Sequence, residues 1–351
     1  MKLDSYTTLG RSGLRVSPLC LGAMTFGNGE GSNADEATSR RMFDMYVERG
    51  GNFVDTADGY TGGVSEVHVG KFIADTKSRD KIVLATKFTF AVEQGNPNAG
   101  GNGRKNILRA VEASLKRLKT DYIDLYWLHA WDMLTPVEEV LSTIDTLVRD
   151  GKVRHFGLSD VPAWYAARAQ TIAELRGTER IAAFQLEYSL VQRDIEREHI
   201  PLAQELGIAL CPWSPLGSGF LTGKYRGTAK AGEVRRLDAF AGTPFARFDT
   251  ERNRAIVEVL VKIAEELGRP PAEVALNWVM GRPAVTSTIL GASKPDQLVS
   301  NMASLEFEIP AELRQRLDEA SATETGNPYR FFQPHMQAMM RGGTDIRKWR
   351  A

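Results

Sequence analysis

An aspartate, a tyrosine, a lysine and a histidine stand at or just beyond the ends of three apolar runs. Asp55 and Tyr60 lie in NFVDTADGY (52–60), Lys87 in KIVLATKF (81–88) and His129 in YIDLYWLH (122–129). A phenol with a reference pKa of about 10 is a poor acid at neutrality. A neighbouring ammonium stabilises the phenolate and lowers that pKa, and a carboxylate beside the ammonium keeps it charged and fixed. An imidazole can orient a substrate oxygen or help relay its proton. As a set, the four make Tyr60 a candidate general acid for a carbonyl oxygen that is gaining negative charge. Singly, each has a plainer reading: Asp55 as a turn cap, Lys87 as a side chain snorkelling to solvent, His129 as a satisfied core histidine.

The four residues meet only if their strands are neighbours. Apolar, β-branched-rich runs occur at 16–23, 52–57, 81–88, 122–129, 153–160, 182–189, 208–216 and 286–292, as expected of strands covered on both faces. Between them lie helical stretches with apolar spacings of three and four, such as ADEATSRRMFDMYVERG (34–50), where Met42, Met45, Tyr46 and Arg49 mark successive turns and Gly50 stops the helix. The others are SEVHVGKFIAD (65–75), RKNILRAVEASLKRLK (104–119), PVEEVLSTIDTLVRDGK (136–152), PAWYAARAQTIAELRG (162–177) and DTERNRAIVEVLVKIAEELG (249–268). Eight strand and helix units imply an α/β fold closed into a parallel (β/α)8 TIM barrel, with an open doubly wound sheet as the rival. The barrel core is expected over about 16–310, within a single domain spanning 1–351. TLGRSGLRVS reads as a hairpin plugging the barrel bottom. EQGNPNAGGNG (93–103) reads as a mobile loop or as simple tolerance of length. The tail, 325–351, carries Tyr329, Phe331, Phe332, Met336, Met339, Met340 and Trp349, and so apolar a segment should dock, as a lid or in a homo-oligomer interface.

Barrel chemistry sits at the carboxyl ends of the strands. Those ends are Asp55 with Tyr60, Lys87, His129, Ser159 with Asp160, Gln185 and Trp213, so polar groups are expected to converge on one mouth. After the seventh run, WSPLGSGFLTGK can place backbone amides and Lys224 against a pyrophosphate. After the eighth, GASKPDQLVSNM sets Ser293 and Lys294 near a helix start, where partial positive charge favours a phosphate; an ordinary cap by Ser293 explains the same residues.

Bulk properties narrow the partners. Lys plus Arg number 44 and Asp plus Glu 44, leaving no net field that favours nucleic acid or an anionic membrane surface. Cys20 and Cys211 sit in apolar runs and read as buried thiols of a reducing compartment. Without a signal-like leader or a run of roughly 18 apolar residues, a soluble, cytoplasmic protein is expected. No metal site is expected, because H-E-x-x-H and zinc-spaced Cys or His pairs are missing. LGSGFLTGKY has the wrong spacing for a phosphate loop, with Tyr225 where Ser or Thr belongs, and no G-x-G-x-x-G follows the first strand.

Read in order, GGNFVDTADGYTGGVSE, IVLATKF, DLYWLHAWD, GLSD, FQLEYS, CPWSPLGSGFLTGKY and TILGASKPDQLVSN resemble the aldo-keto reductase superfamily from about residue 9 to about 310. The tail and CPWSPLGSGFLTGKY are similar to the bacterial and fungal branch that includes aryl-alcohol dehydrogenases. The resemblance implies a TIM barrel that reduces aldehydes or ketones with NADPH. It places Asp55, Tyr60, Lys87 and His129 on the catalytic tetrad, with Tyr60 as proton donor. It places Trp213 against the nicotinamide ring, and Gln185 and Ser159 at its carboxamide. Ser214, Pro215, Leu216, Gly217, Ser218 and Lys224 fall on the pyrophosphate segment; Gly291, Ser293, Gln297 and Asn301 fall around the adenosine 2′-phosphate and adenine.

Two positions depart from the pattern. Asp160 stands where many relatives carry asparagine, so its carboxylate accepts from the carboxamide but cannot donate to it. Gly22, Ala23 and Met24 replace a threonine and an aromatic, which weakens the inferred cofactor contact of Gly22 and Met24. The leading function is carbonyl reduction on a small-molecule substrate. A cofactor-binding regulatory subunit similar to potassium-channel β subunits is the alternative, opposed by the complete tetrad, and a metal-dependent barrel hydrolase comes third. Phe26, Phe90, Trp131, Phe331 and Phe332 are candidates to line an apolar pocket, with core packing as the plain alternative.

Overall fold

The computed structural model describes residues 1–226, Leu237, Gly242, Thr243 and 247–346; Trp349 lies outside the described residues. Strands β1 (Thr7–Thr8) and β2 (Arg15–Val16) form the antiparallel hairpin. The parallel sheet contains β3 (Leu19–Gly22), β4 (Phe53–Asp55), β5 (Val83–Phe88), β6 (Ile123–Leu128), β7 (Val153–Ser159), β8 (Ile181–Gln185), β9 (Ala209–Leu210) and β10 (Thr288–Gly291), in the order β10-β3-β4-β5-β6-β7-β8-β9. Closure runs through β9 and the approach to β10. Leu210 donates to the Ala284 carbonyl at 2.9 Å and accepts from Thr286 at 2.8 Å, and Ile289 donates to the Pro212 carbonyl at 2.9 Å. The result is the expected TIM barrel.

Side chains fill the lower barrel. Cys20, Phe53, Val83, Leu125, Trp127, Cys211 and Ile289 pack there with Leu9 and Val16 of the hairpin. Gly10 makes this plug possible: φ is +59°, and a Cβ there would lie 2.7 Å from the carbonyl oxygens of both Ala182 and Gly207. Larger apolar layers lie between the sheet and the outer helices.

The sequence periodicity located α1 (Glu36–Glu48), α2 (Val64–Thr76), α3 (Arg104–Leu118), α4 (Val137–Arg149) and α5 (Ala163–Arg176). In α1, Asp35 caps by accepting from the Thr38 N–H at 2.8 Å. The buried face is Met42, Phe43 and Tyr46; Arg49 lies beyond the helix and exposed, which corrects the expected stripe. The structure adds α6 (His199–Leu206) before α7 (Glu251–Leu267), which was expected, and then α8 (Pro271–Met280). Helix α8 gave no periodic signal because nearly every side of it is covered: its polar residues Glu273 and Asn277 are buried along with Val274, Ala275, Leu276, Trp278 and Val279, leaving no solvent-facing stripe. Helix α9 (Pro295–Ala303) follows β10, and α10 (Ala311–Ala320) closes the body.

Along the tail, Tyr329 donates to Glu198 at 2.5 Å, and Phe331, Phe332, Met339 and Met340 are 49 to 71 % exposed on the single chain, as an interface between copies would require. The loop 93–103 is anchored at its carboxyl end, where Asn102 is buried. Among the described residues no helix is long and apolar enough to cross a membrane.

Candidate active site

Parallel register brings the polar strand ends to one level. Asp55 lies beside Gly22 and Ala85, Lys87 beside Trp127, and Ser159 beside Gln185. Beyond β4 the chain bends sharply, with Thr61, Gly62 and Gly63 at φ +48°, +67° and +92°. Thr61 Oγ1 holds this bend by donating to the Phe26 carbonyl at 2.8 Å. The bend returns the Tyr60 phenol over the end of β5.

Lys87 is fully buried, and its Nζ satisfies all three donors. It reaches Asp55 Oδ2 at 2.5 Å, the Thr56 carbonyl at 2.7 Å and Tyr60 Oη at 3.0 Å. Asp55, 2 % exposed, accepts on its other oxygen from Gln185 Nε2 at 3.0 Å. Burial works against the Lys87 charge, but Asp55 and Tyr60 outweigh it, and its pKa stands above the ordinary lysine value. Behind this pair, Glu66 accepts from Thr86 Oγ1 and from Arg117 Nε, each at 2.6 Å.

Tyr60 corrects one expectation. Burial raises its pKa, Lys87 opposes that rise, and the net position is above the ordinary phenol value rather than below it. The phenol is therefore held protonated, with its oxygen accepting from an ammonium. His129 meets Tyr60 edge to face, ring centroids 5.7 Å apart, and Phe90 packs on its other side at 4.7 Å. Burial, then the Lys87 charge, hold the imidazole well below its usual range, so it is neutral at physiological pH.

Asp160, at φ +43°, lies in the concave mouth, open to water yet surrounded by protein. Burial raises its carboxyl to about 7; the bond from Trp213 Nε1, 3.2 Å from Oδ1, opposes the shift and Glu187 adds to it. Gln185, assigned to the carboxamide by resemblance, also donates from its amide nitrogen to Asp55. Nothing in the sequence signalled this bond, which joins strands far apart in the chain.

The loop after β9 is built on a run of left-handed turn residues. Ser214, Gly217, Ser218 and Gly219 have φ of +52°, +54°, +54° and +88°, which turns their amides out of the helical pattern. Pro215 is buried and Leu216 half-buried beneath them. A Cβ on Gly219 would stand 3.4 Å from Lys224 Nζ, so the ammonium overhangs the bare glycine. Ser214 Oγ accepts from the Ser218 amide at 3.1 Å and so braces the loop.

Across the mouth, Gly22 packs where a Cβ would meet Ile289 Cγ2 at 2.8 Å, and Met24 is 39 % exposed. Gly291 ends β10 exposed. The alternative reading of Ser293 as a cap fails: Lys294 is the N-cap residue of α9, and Ser293 donates its N–H to Gln297 Oε1 at 3.1 Å. Asn301 is buried on the same helix.

Phe26 is removed from the pocket set, being fully buried against Phe72. Phe331 and Phe332 lie exposed in the tail. Phe90 and Trp131 remain at the mouth, and Trp131 meets Trp164 edge to face at 5.3 Å.

Comparison with known proteins follows the same lines. Residues 18–322 match the Aldo/keto reductase family. The chain is 35 % identical over 340 residues to a protein named aryl-alcohol dehydrogenase from Pestalotiopsis microspora, covering 95 % of this chain and 85 % of that one. It is 36 % identical over 330 residues to norsolorinic acid reductase of Aspergillus flavus, covering 91 % and 81 %. An oxidoreductase of Bacillus subtilis, YrpG, is 37 % identical over 325 residues, covering 90 % and 95 %.

Proposed function

The chain belongs to the aldo/keto reductase family of oxidoreductases, and from that membership we propose that it reduces aldehydes or ketones to alcohols with NADPH, Tyr60 supplying the proton. The observation that carries this reading is the 3.0 Å contact between Lys87 Nζ and Tyr60 Oη on a buried Asp55.

NADPH, when bound, supplies the hydride. Ser159, Asp160, Gln185 and Trp213 would hold its nicotinamide end with Gly22, Met24 and Asp55. Ser214, Pro215, Leu216, Gly217, Ser218 and Lys224 would hold the pyrophosphate. Gly291, Ser293, Gln297 and Asn301 would meet the adenosine end, where Lys294 favours a 2′-phosphate. The Lys224 ammonium over the bare Gly219 fits such an anion.

The chain's own residues then act on the carbonyl. Neutral His129 and the Tyr60 hydroxyl both offer hydrogen bonds to its oxygen. Tyr60 would pass its proton to that oxygen as negative charge builds on it. Lys87 stabilises the phenolate left behind, and Asp55 holds Lys87 in place. Phe90, Trp131 and Trp164 at the mouth favour an aromatic carbonyl, in keeping with the names of the aryl-alcohol and norsolorinic acid relatives.

The test is to mix the protein with NADPH and a panel of aromatic and aliphatic aldehydes and follow the loss of reduced-nicotinamide absorbance. Turnover that is abolished in Tyr60→Phe supports the reading. No turnover with any carbonyl, or unchanged turnover in that variant, rejects it.

A further inference from the structure

Thr89, two residues past Lys87, has φ +123°, a conformation that a β-branched residue seldom adopts. Such strain persists only where the surroundings over-determine it, and it gathers at functional sites. Here the surroundings are specific. Thr89 Oγ1 donates to Asn102 Oδ1 at 2.7 Å and accepts from the His129 amide at 3.2 Å, while the Thr89 carbonyl accepts from Gly101 at 2.7 Å.

Asn102 is 1 % exposed and is used on every polar atom of its side chain. Its Nδ2 donates to the Ala130 carbonyl at 2.9 Å, and its backbone amide donates to Asp132 Oδ2 at 2.8 Å. Asp132 in turn accepts from the amides of Leu134 and Thr135 and from Thr135 Oγ1. The loop after β5 is thus pinned to the chain at His129, at Ala130 and at Asp132.

The imidazole itself is held loosely. His129 Nδ1 is buried without a partner, and the ring is touched by Tyr60 and Phe90 edge to face. Its place is set through its backbone, whose amide is shared between the Phe88 carbonyl at 3.1 Å and Thr89 Oγ1 at 3.2 Å. The left-handed turn at Thr89 also directs the next residue, Phe90, onto the same ring.

We propose that Thr89 and Asn102 are positioning residues, a two-part clamp that sets the His129 imidazole and the covering Phe90 at the depth where they meet a substrate carbonyl. Both are too buried to touch substrate, so they act through His129. The proposal rests on the reductase reading for its effect on turnover, but not for its geometry.

The test compares Thr89→Val, which keeps the branched shape and removes the hydroxyl, with Thr89→Ser and Asn102→Ala. Thr89→Val and Asn102→Ala should lower kcat roughly 10- to 100-fold, as a misplacement near 1 Å does, with NADPH affinity retained; Thr89→Ser should regain most of the turnover. In parallel, histidine-labelled protein without nucleotide or substrate is examined by NMR, the His129 signal being assigned by its loss in His129→Gln. That signal should move in Thr89→Val and Asn102→Ala and stay in place in Thr89→Ser. If Thr89→Val does not fold, Asn102→Ala carries both arms. A wild-type protein inert toward all carbonyls would reject the reductase reading, and the NMR arm would still decide the clamp. An unmoved His129 signal, or unchanged kcat in an otherwise active enzyme, overturns the proposal.

Discussion

Lys87 Nζ lies 3.0 Å from the hydroxyl oxygen of Tyr60 and 4.5 Å from the centroid of its ring. The contact lets the phenol lose its proton to a substrate while burial keeps that proton in place until then. Tyr60→Phe should therefore cut kcat by roughly 100-fold or more, the range for loss of a general acid, with NADPH binding measured by fluorescence little changed. Because the Tyr60 pKa is displaced upward, carbonyl reduction should be flat across the neutral range. Alcohol oxidation, which needs the phenolate, should accelerate as pH rises. A bell-shaped reduction profile centred near neutrality would contradict this assignment.

Asp58 offers a pH-dependent stability. It is 3 % exposed, both carboxylate oxygens lack partners, and its pKa is raised to about 7, first by burial and then by Glu66. The folded state keeps a proton that the unfolded state releases above its ordinary carboxylate pKa. Stability from this group is therefore intact at pH 4, falls as pH rises toward 7, and levels off above it. Asp58→Asn should unfold at higher denaturant than wild type at pH 8, and the gap should close toward pH 4. A gap that widened on acidification would refute the argument.

Lys224 tests the coenzyme loop. Its ammonium overhangs Gly219 among left-handed residues. Lys224→Ala should weaken NADPH binding several-fold by titration calorimetry and make the affinity less salt-dependent. Unchanged affinity at low salt would remove Lys224 from the site.

Gly10 tests the floor. A Cβ 2.7 Å from two carbonyl oxygens forces the hairpin away from the barrel bottom. Gly10→Ala should lose roughly 1–3 kcal/mol of stability, as overpacked sites do, without altering NADPH affinity.

The sequence was most informative where burial and register leave little choice. Eight runs apolar on both faces can hardly form anything but covered parallel strands, and the ends of those runs held Asp55, Lys87, Ser159 and Gln185, which the register brings level. What escaped was set by tertiary context. Helix α8 has no exposed side to mark its period, its Glu273 and Asn277 being buried. The engagement of Gln185 with Asp55 spans 130 residues, and no local pattern announces it. The direction of the Tyr60 pKa depends on whether burial or the ammonium prevails, a contest that residue types alone do not decide. Thr89 carries an ordinary side chain in a backbone conformation invisible to composition. The apolar tail was legible as a docking segment, and Phe331 and Phe332 are exposed on the single chain, which sets the interface reading above the lid.

The depth of the Lys87–Asp55 pair has a consequence for ionic strength. Screening ions cannot approach two groups of which 0 % and 3 % of the side chains are accessible. Added electrolyte should act on the rim, where Lys224 and Lys294 face outward, and spare the interior charges. A rise in KM for nucleotide at constant kcat would be the visible sign that the two zones respond independently.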